Sequence, residues 1–261
     1  MIRLTWVNDH PFRRGHPETA LAHEHCKGQG IELGAAAHNM FNLPGSINVC
    51  PWNADATEFD QYDYLMNRTH QVDTCGIFAE VDLKGEADAI PVADHSQDYV
   101  ISSHVVEHIA DTISAFLEWK RVLRPGGTIF MIFPKRDAAV ADVDRPITEL
   151  QEFIDDYRQK LTYMTHACCP GHAQRGHYHV FTLALMLDLI AWCNAELDLG
   201  WEIVATEETD SKVGNGHTVV ARQLAPVPKI ERGKRWLRQM AGRMLGRHEP
   251  ARAGARTKLG A

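Results

Sequence analysis

The chain has 261 residues, 44% of them hydrophobic and 23% charged, enough to bury a substantial core without disulfide or metal staples. Its net charge of −7 hides an asymmetry: residues 225–261 hold ten Lys and Arg against two Glu, while the rest is acidic, which argues against a nucleic-acid binder acting through its whole surface. No run approaches the roughly 18 apolar residues of a membrane span, the opening MIRLTWVNDHPFRRGHPE has no secretory core, and six cysteines without a C-x-x-C read as reduced thiols in a cytoplasm.

Residues 1–29 are polar and rich in His, Pro and Arg, and read as an irregular lead-in. From Gly30 strand and helix signals alternate. GIEL and SINVC, at 30–33 and 46–50, are short apolar strand candidates, and 54–71 is a helix candidate. GIFAEVDL (76–83) reads as a third strand and DYVISS (98–103) as a fourth, rich in β-branched and aromatic residues. DTISAFLEWKRVL then places Ile113, Phe116, Leu117 and Leu123 on one helical face, with Asp111 as N-cap and Pro125-Gly126-Gly127 as the stop. TIFMIF (128–133) is continuously apolar, as a central strand buried on both faces requires. A polar segment at 135–176 follows, in which Thr148-Glu149-Leu150-Gln151 forms a capping-box pattern opening a helix to about Lys160. Thr182 to Leu197 reads as a helix, and WEIVATEE and HTVVARQL as a hairpin joined by DSKVGNG. Strands alternating with helices imply a parallel sheet covered on both faces, with ligands beyond the carboxyl ends of its strands.

Three blocks stand in a specific order. Glu32-Leu33-Gly34 closes the first strand, GEADAIPVADHSQDYVISSHVVEHI spans 85–109, and RVLRPGG spans 121–127. Together they resemble the class I S-adenosylmethionine-dependent methyltransferases, in particular the type 11 group. The resemblance covers roughly 30–222. It implies a Rossmann-like α/β fold: a mostly parallel seven-stranded sheet with an antiparallel last strand, helices on both faces, and a small cap insertion at 135–181 within a domain of 30–224. It also implies S-adenosylmethionine as cofactor. The loop after the first strand, IELGAAAH, keeps one glycine and places alanines and His38 where further glycines often stand. A nicotinamide or flavin fingerprint is absent.

By this resemblance Glu32 faces the methionine ammonium, Gly34 and Ala36 form the close-approach loop, Glu86 accepts from the adenine amino group, and the Ala87 N–H donates to the ring. Asp88 rivals Glu86 for its role. The ribose carboxylate is Asp55 or Asp82, since the second strand ends in Cys50-Pro51. His104 falls just beyond the fourth strand with Glu107 three residues on, a spacing suited to a general base held by a carboxylate. The competing reading has Glu107 and His108 bracing the following turn. The function implied is methyl transfer to an oxygen of a sugar or other small metabolite, in a bacterial polysaccharide-type pathway. The alternatives are a different enzyme on the same fold that uses the cofactor for something other than methyl transfer, and a non-catalytic scaffold or membrane-associated protein.

HACCPGHAQRGHYHVF (166–181) concentrates His and Cys but lacks the C-x-x-C or H-x3-H pairing of structural zinc sites, so no metal is assigned. His177 and His179 read instead as acceptor-site residues, or else as part of a polar surface loop. Arg145, in DVDRPIT, grips a polyhydroxyl or anionic acceptor, or pairs with Asp142 or Asp144. The tail 225–261 includes an amphipathic basic stretch, 230–247, that suits peripheral contact with the anionic inner face of a membrane. It suits equally packing against the acidic body or a second subunit, or a partly disordered end after Pro226 and Pro228.

Overall fold

The computed structural model describes residues 1–6, 20–52, 58–167 and 176–225. In chain order the elements are β1 (Leu4–Trp6), α1 (Ala20–His25), β2 (Gly30–Leu33), β3 (Ser46–Cys50), α2 (Glu58–Cys75), β4 (Ile77–Ala79), β5 (Leu83–Lys84), β6 (Gln97–Ser103), α3 (Thr112–Val122), β7 (Leu123–Pro134), α4 (Leu150–Gln159), α5 (Leu183–Glu196), β8 (Trp201–Glu207) and β9 (Gly216–Gln223). Seven strands form one sheet in the order β5-β3-β2-β6-β7-β9-β8. Neighbours from β5 to β7 are parallel, and β9 runs antiparallel to both β7 and β8. This is the mostly parallel, Rossmann-like sheet the alternating pattern implies.

The central strands are apolar on both faces because both faces are covered. Ile129, Met131 and Phe133 of β7 join a core with Ile113, Phe116 and Trp119 of α3, Phe153 of α4, and Met186 and Leu189 of α5. Phe130 and Ile132, pointing the other way, pack with Tyr99, Ile101, Phe41 and Ala22 of α1. Strand alternation sorts one apolar run into two cores. Among the described residues no helix is long and apolar enough to cross a membrane.

Three expectations need correction. Residues 1–29 are not wholly irregular: β1 pairs antiparallel with β4, and α1 packs on the sheet. The stretch 76–83 is not one strand. Its first part leaves the main sheet to pair with β1, and only Leu83–Lys84 joins β3. The capping box is shifted by one residue. The Glu152 carboxylate accepts from the Glu149 N–H at 2.7 Å, while the Thr148 hydroxyl accepts from the Val180 N–H at 2.9 Å and ties the segment before α5 to the start of α4.

Helix α3 fixes the loop that follows β5. Asp111 caps the helix, its carboxylate accepting from the Ser114 N–H at 2.9 Å. From its far turn the Trp119 indole donates to the Ala87 carbonyl at 2.9 Å, and the Glu118 carboxylate accepts from the Ile90 N–H at 2.7 Å. Arg121 donates to the carbonyls of Ile90 and Val92, each at 2.9 Å, and is itself held by Glu118 at 2.7 Å. The arginine of RVLRPGG is thus a clamp on the GEADAIP loop, and the two motifs are one structural unit.

Candidate cofactor and acceptor site

A cavity of about 460 Å³ opens at the carboxyl ends of β2, β3 and β6. That volume is ordinary for a small-molecule site. Its walls bring together Leu33 and Gly34 from the end of β2, Cys50, Pro51 and Trp52 from the end of β3, and Asp63 and Asn67 from α2. The clamped loop adds Gly85, Glu86, Ala87 and Asp88; His104, Val105, His108 and Asp111 come from the segment after β6; Leu161, Thr162 and Tyr163 come from the cap.

Gly34 has φ +59°, and a Cβ there would meet only Val105 Cγ2, at 3.4 Å, so any larger side chain would grow into the cavity. Glu86, Ala87 and Asp88 share the wall, as the second motif implies. The residues present fit S-adenosylmethionine: an open glycine at the strand end, acids at one side for the adenine and ribose, and two histidines elsewhere in the wall.

Other sequence-based expectations do not reach this wall. Glu32 lies on the opposite face of β2 and is 3% exposed, because side chains alternate and Ile31 and Leu33 take the α3 side. Burial raises its carboxyl to about 7, with Lys212, the Phe41 backbone and Ser46 acting against the shift. Ala36 is also off the wall. The Ala35 N–H donates to Asn48 Oδ1 at 2.9 Å and the Ala37 N–H to Gln71 Oε1 at 2.7 Å, so side chains already occupy two amides of the loop. Asp82 accepts from the Asn48 N–H at 2.9 Å and from Arg3 Nε at 3.2 Å, and braces β3 instead of facing the cavity. Asp55 lies outside the described residues. The acid in the expected ribose region is Asp63, with Asn67 one turn on. Sequence reasoning passed over both, although their i, i+4 spacing on a helix after the second strand was readable.

The raised Glu32 carboxyl has a measurable consequence. A group whose pKa is higher in the folded chain (about 7) than its ordinary value (4.5) adds stability that is full at low pH and is lost as pH rises through that window. Thermal or urea melts at pH 5 and pH 8 should show Glu32→Gln gaining on wild type with rising pH, by at most about 3 kcal/mol. A gap independent of pH would show that the carboxyl is ionised throughout.

His104 has φ +53°, and its N–H donates to the Ile132 carbonyl at 2.9 Å. The turn after it is a short 3-10 helix, Val106–His108. That turn brings Glu107, 1% exposed, beneath the imidazole, with His104 Nδ1 and Glu107 Oε1 3.5 Å apart. Burial pushes the His104 pKa down, but the carboxylate of Glu107 beside it, with Asp210 and Asn215 adding, leaves it above the ordinary value. His108 both lines the cavity and braces the cap, its Nδ1 lying 3.0 Å from the Gly176 carbonyl.

The expected acceptor residues of the cap are engaged by protein groups. Arg145 donates to Asp142 Oδ1 at 2.9 Å and to the carbonyls of His177 and Tyr178 at 2.8 and 2.9 Å. Asp142 Oδ2 lies 2.7 Å from His177 Nδ1. His179 is 2% exposed, and burial first of all drops its pKa to about 4. None of the three is on the cavity wall. Leu161, Thr162 and Tyr163 represent the cap there.

Residues 48–131 match the Methyltransf_11 family, described as a methyltransferase domain. A curated relative, an uncharacterized 37.1 kDa protein in transposon Tn4556 of Streptomyces fradiae, is 40% identical over 63 residues, which is 24% of this chain and 18% of that protein. Among solved structures, a SAM-dependent methyltransferase from Methanosarcina mazei aligns at TM-score 0.43 and 14% identity, over 80% of this chain and 99% of that one. One from Aquifex aeolicus aligns at 0.44 and 14%, over 81% and 92%. Another from Thermotoga maritima, described as a possible histamine N-methyltransferase, aligns at 0.43 and 16%, over 78% and 86%. At these values the strand order of the chain itself carries the fold assignment.

Proposed function

We propose that this chain, a class I methyltransferase of the type 11 family with S-adenosylmethionine as its cofactor, methylates an oxygen of a sugar or another small metabolite in a bacterial polysaccharide-type pathway. The observation that carries the reading is the His104–Glu107 pair, with His104 among the residues of the cavity wall. When bound, the cofactor supplies a methyl group on a sulfonium and leaves as S-adenosylhomocysteine. A hydroxyl is a poor nucleophile unless its proton is removed as the oxygen–methyl bond forms. His104 takes that proton in this reading, and Glu107 orients the ring and stabilises the imidazolium. Leu33 and Gly34 would leave room for the cofactor, Asp63 and Asn67 would hold the ribose, and Glu86, Ala87 and Asp88 would hold the adenine. Asp111, Thr162 and Tyr163 are the wall residues whose side chains suit a hydroxylated acceptor.

Nucleic acid is not the acceptor in this reading, because residues 1–224 hold 32 Asp and Glu against 17 Lys and Arg. The basic stretch 230–247, which lies outside the described residues, would meet the surface of an anionic membrane if the acceptor is lipid-linked. The test is transfer of labelled methyl groups to a panel of nucleotide sugars and lipid-linked saccharides beside amines and thiols. Label on a saccharide oxygen is the expected result. Label on amines or thiols with none on saccharides would overturn the assignment.

A further inference from the structure

Beside the cavity, under the cap, three buried side chains converge from separate segments: Asp156 on α4, His166 after the turn that follows it, and His179 on the extended stretch leading to α5. Asp156 Oδ2 lies 3.5 Å from His166 Nε2 and 3.6 Å from His179 Nε2. That oxygen is buried and makes no hydrogen bond among the described residues. The separations are too long for good hydrogen bonds. They are the spacing of two donors on one ion, since bonds of about 2.0–2.2 Å at a tetrahedral angle put donors about 3.3–3.6 Å apart.

We propose that Asp156, His166 and His179 bind one divalent cation of the zinc class, which fastens three segments of the cap beside the cofactor cavity. The donor set is two imidazoles and one carboxylate, borderline ligands that zinc accepts, with a fourth position left for water or another donor. Apolar rings surround it: Phe153 stands 4.3 Å from the His179 ring and Tyr178 4.9 Å from the His166 ring, centroid to centroid. Binding requires His179 Nε2 to be unprotonated, so the metal bond replaces that atom's 3.2 Å contact with the Ala110 carbonyl. The absence of C-x-x-C spacing does not bear on this site, because its donors are not neighbours in sequence. Leu161, Thr162 and Tyr163, which line the cavity, lie between Asp156 and His166 in the chain, so the ion would fix that wall.

A second group, Glu107, His108 and His177, also has donor atoms within 4.8 Å of one another. Its glutamate pairs with His104, and it is the control.

The metal-stripped full chain should be titrated with cobalt(II) and then zinc chloride. One equivalent of cobalt should give visible d–d bands with no thiolate charge-transfer band, and zinc should displace it. His166→Asn should lower the affinity at least about 100-fold, the upper end of the loss from disturbing a ligand's outer partners, while His177→Asn leaves it unchanged. No stoichiometric binding, a thiolate band, or loss of binding in folded His177→Asn would each overturn the proposal. If His166→Asn does not fold, the wild-type spectrum and His177→Asn still decide it.

Discussion

Replacing His104 with Asn should lower kcat/KM by about 100- to 10,000-fold, the range expected for loss of a positioned general base. Cofactor affinity should change little, because the imidazole is assigned to the acceptor's proton. The pH profile is the sharper reading. The base must be neutral to act, and Glu107 holds its pKa above the ordinary 6.5 despite burial. The acid limb of wild-type kcat/KM should therefore lie above pH 6.5. Glu107→Gln removes the largest of the interactions that raise the pKa and leaves the burial that lowers it, so the limb should move down while the plateau also falls. The same pair contributes to stability. The raised His104 pKa adds stability that is present below the unfolded value and lost as pH rises through the folded one. A limb that stays in place in Glu107→Gln would remove the dyad from the mechanism, and an undiminished kcat in His104→Asn would remove His104.

The sheet was legible because its strands obey local rules. TIFMIF is apolar at every position and becomes β7, buried on both faces, and the hairpin of β8 and β9 follows its turn residues. What failed was non-local. Nothing near 76–83 shows that residues 4–6 will pair with its first half, since that partner lies more than 70 residues away. The site divides in the same way. Gly34, Glu86, Ala87, Asp88 and His104 sit in motifs and do line the cavity. Glu32 sits in a motif too, but strand alternation turns it to the other face, and the Ile31/Leu33 pattern around it was evidence of that. Asp63 and Asn67 belong to no motif and reach the wall only because α2 passes the end of β3. In the cap, the buried partners of Arg145, His177 and His179 come from segments about 23 to 69 residues away, except for Asp142, three residues before Arg145. The sequence shows these residues as polar without showing that their donors are taken.

Gly34→Val should weaken S-adenosylhomocysteine binding by at least about 100-fold, near 2.7 kcal/mol. Two effects combine in that substitution, and they separate experimentally. The first is backbone strain. Gly34 occupies the left-handed region, where a β-branched residue is a true outlier, at a cost of about 1–2 kcal/mol or more that appears as a lower Tm. The second is occupied space. A Cβ on Gly34 meets Val105 at 3.4 Å and nothing else, so the remaining side-chain atoms enter the cavity. Asn tolerates a positive φ yet fills the same space. Gly34→Asn should therefore melt near wild type and still lose affinity, measured by calorimetric titration against the wild-type chain. If Gly34→Asn binds normally while Gly34→Val does not, the glycine serves the backbone turn alone. If both bind normally, the cofactor does not pass the end of β2, and the cavity wall formed by Gly34 and Val105 belongs to some other ligand.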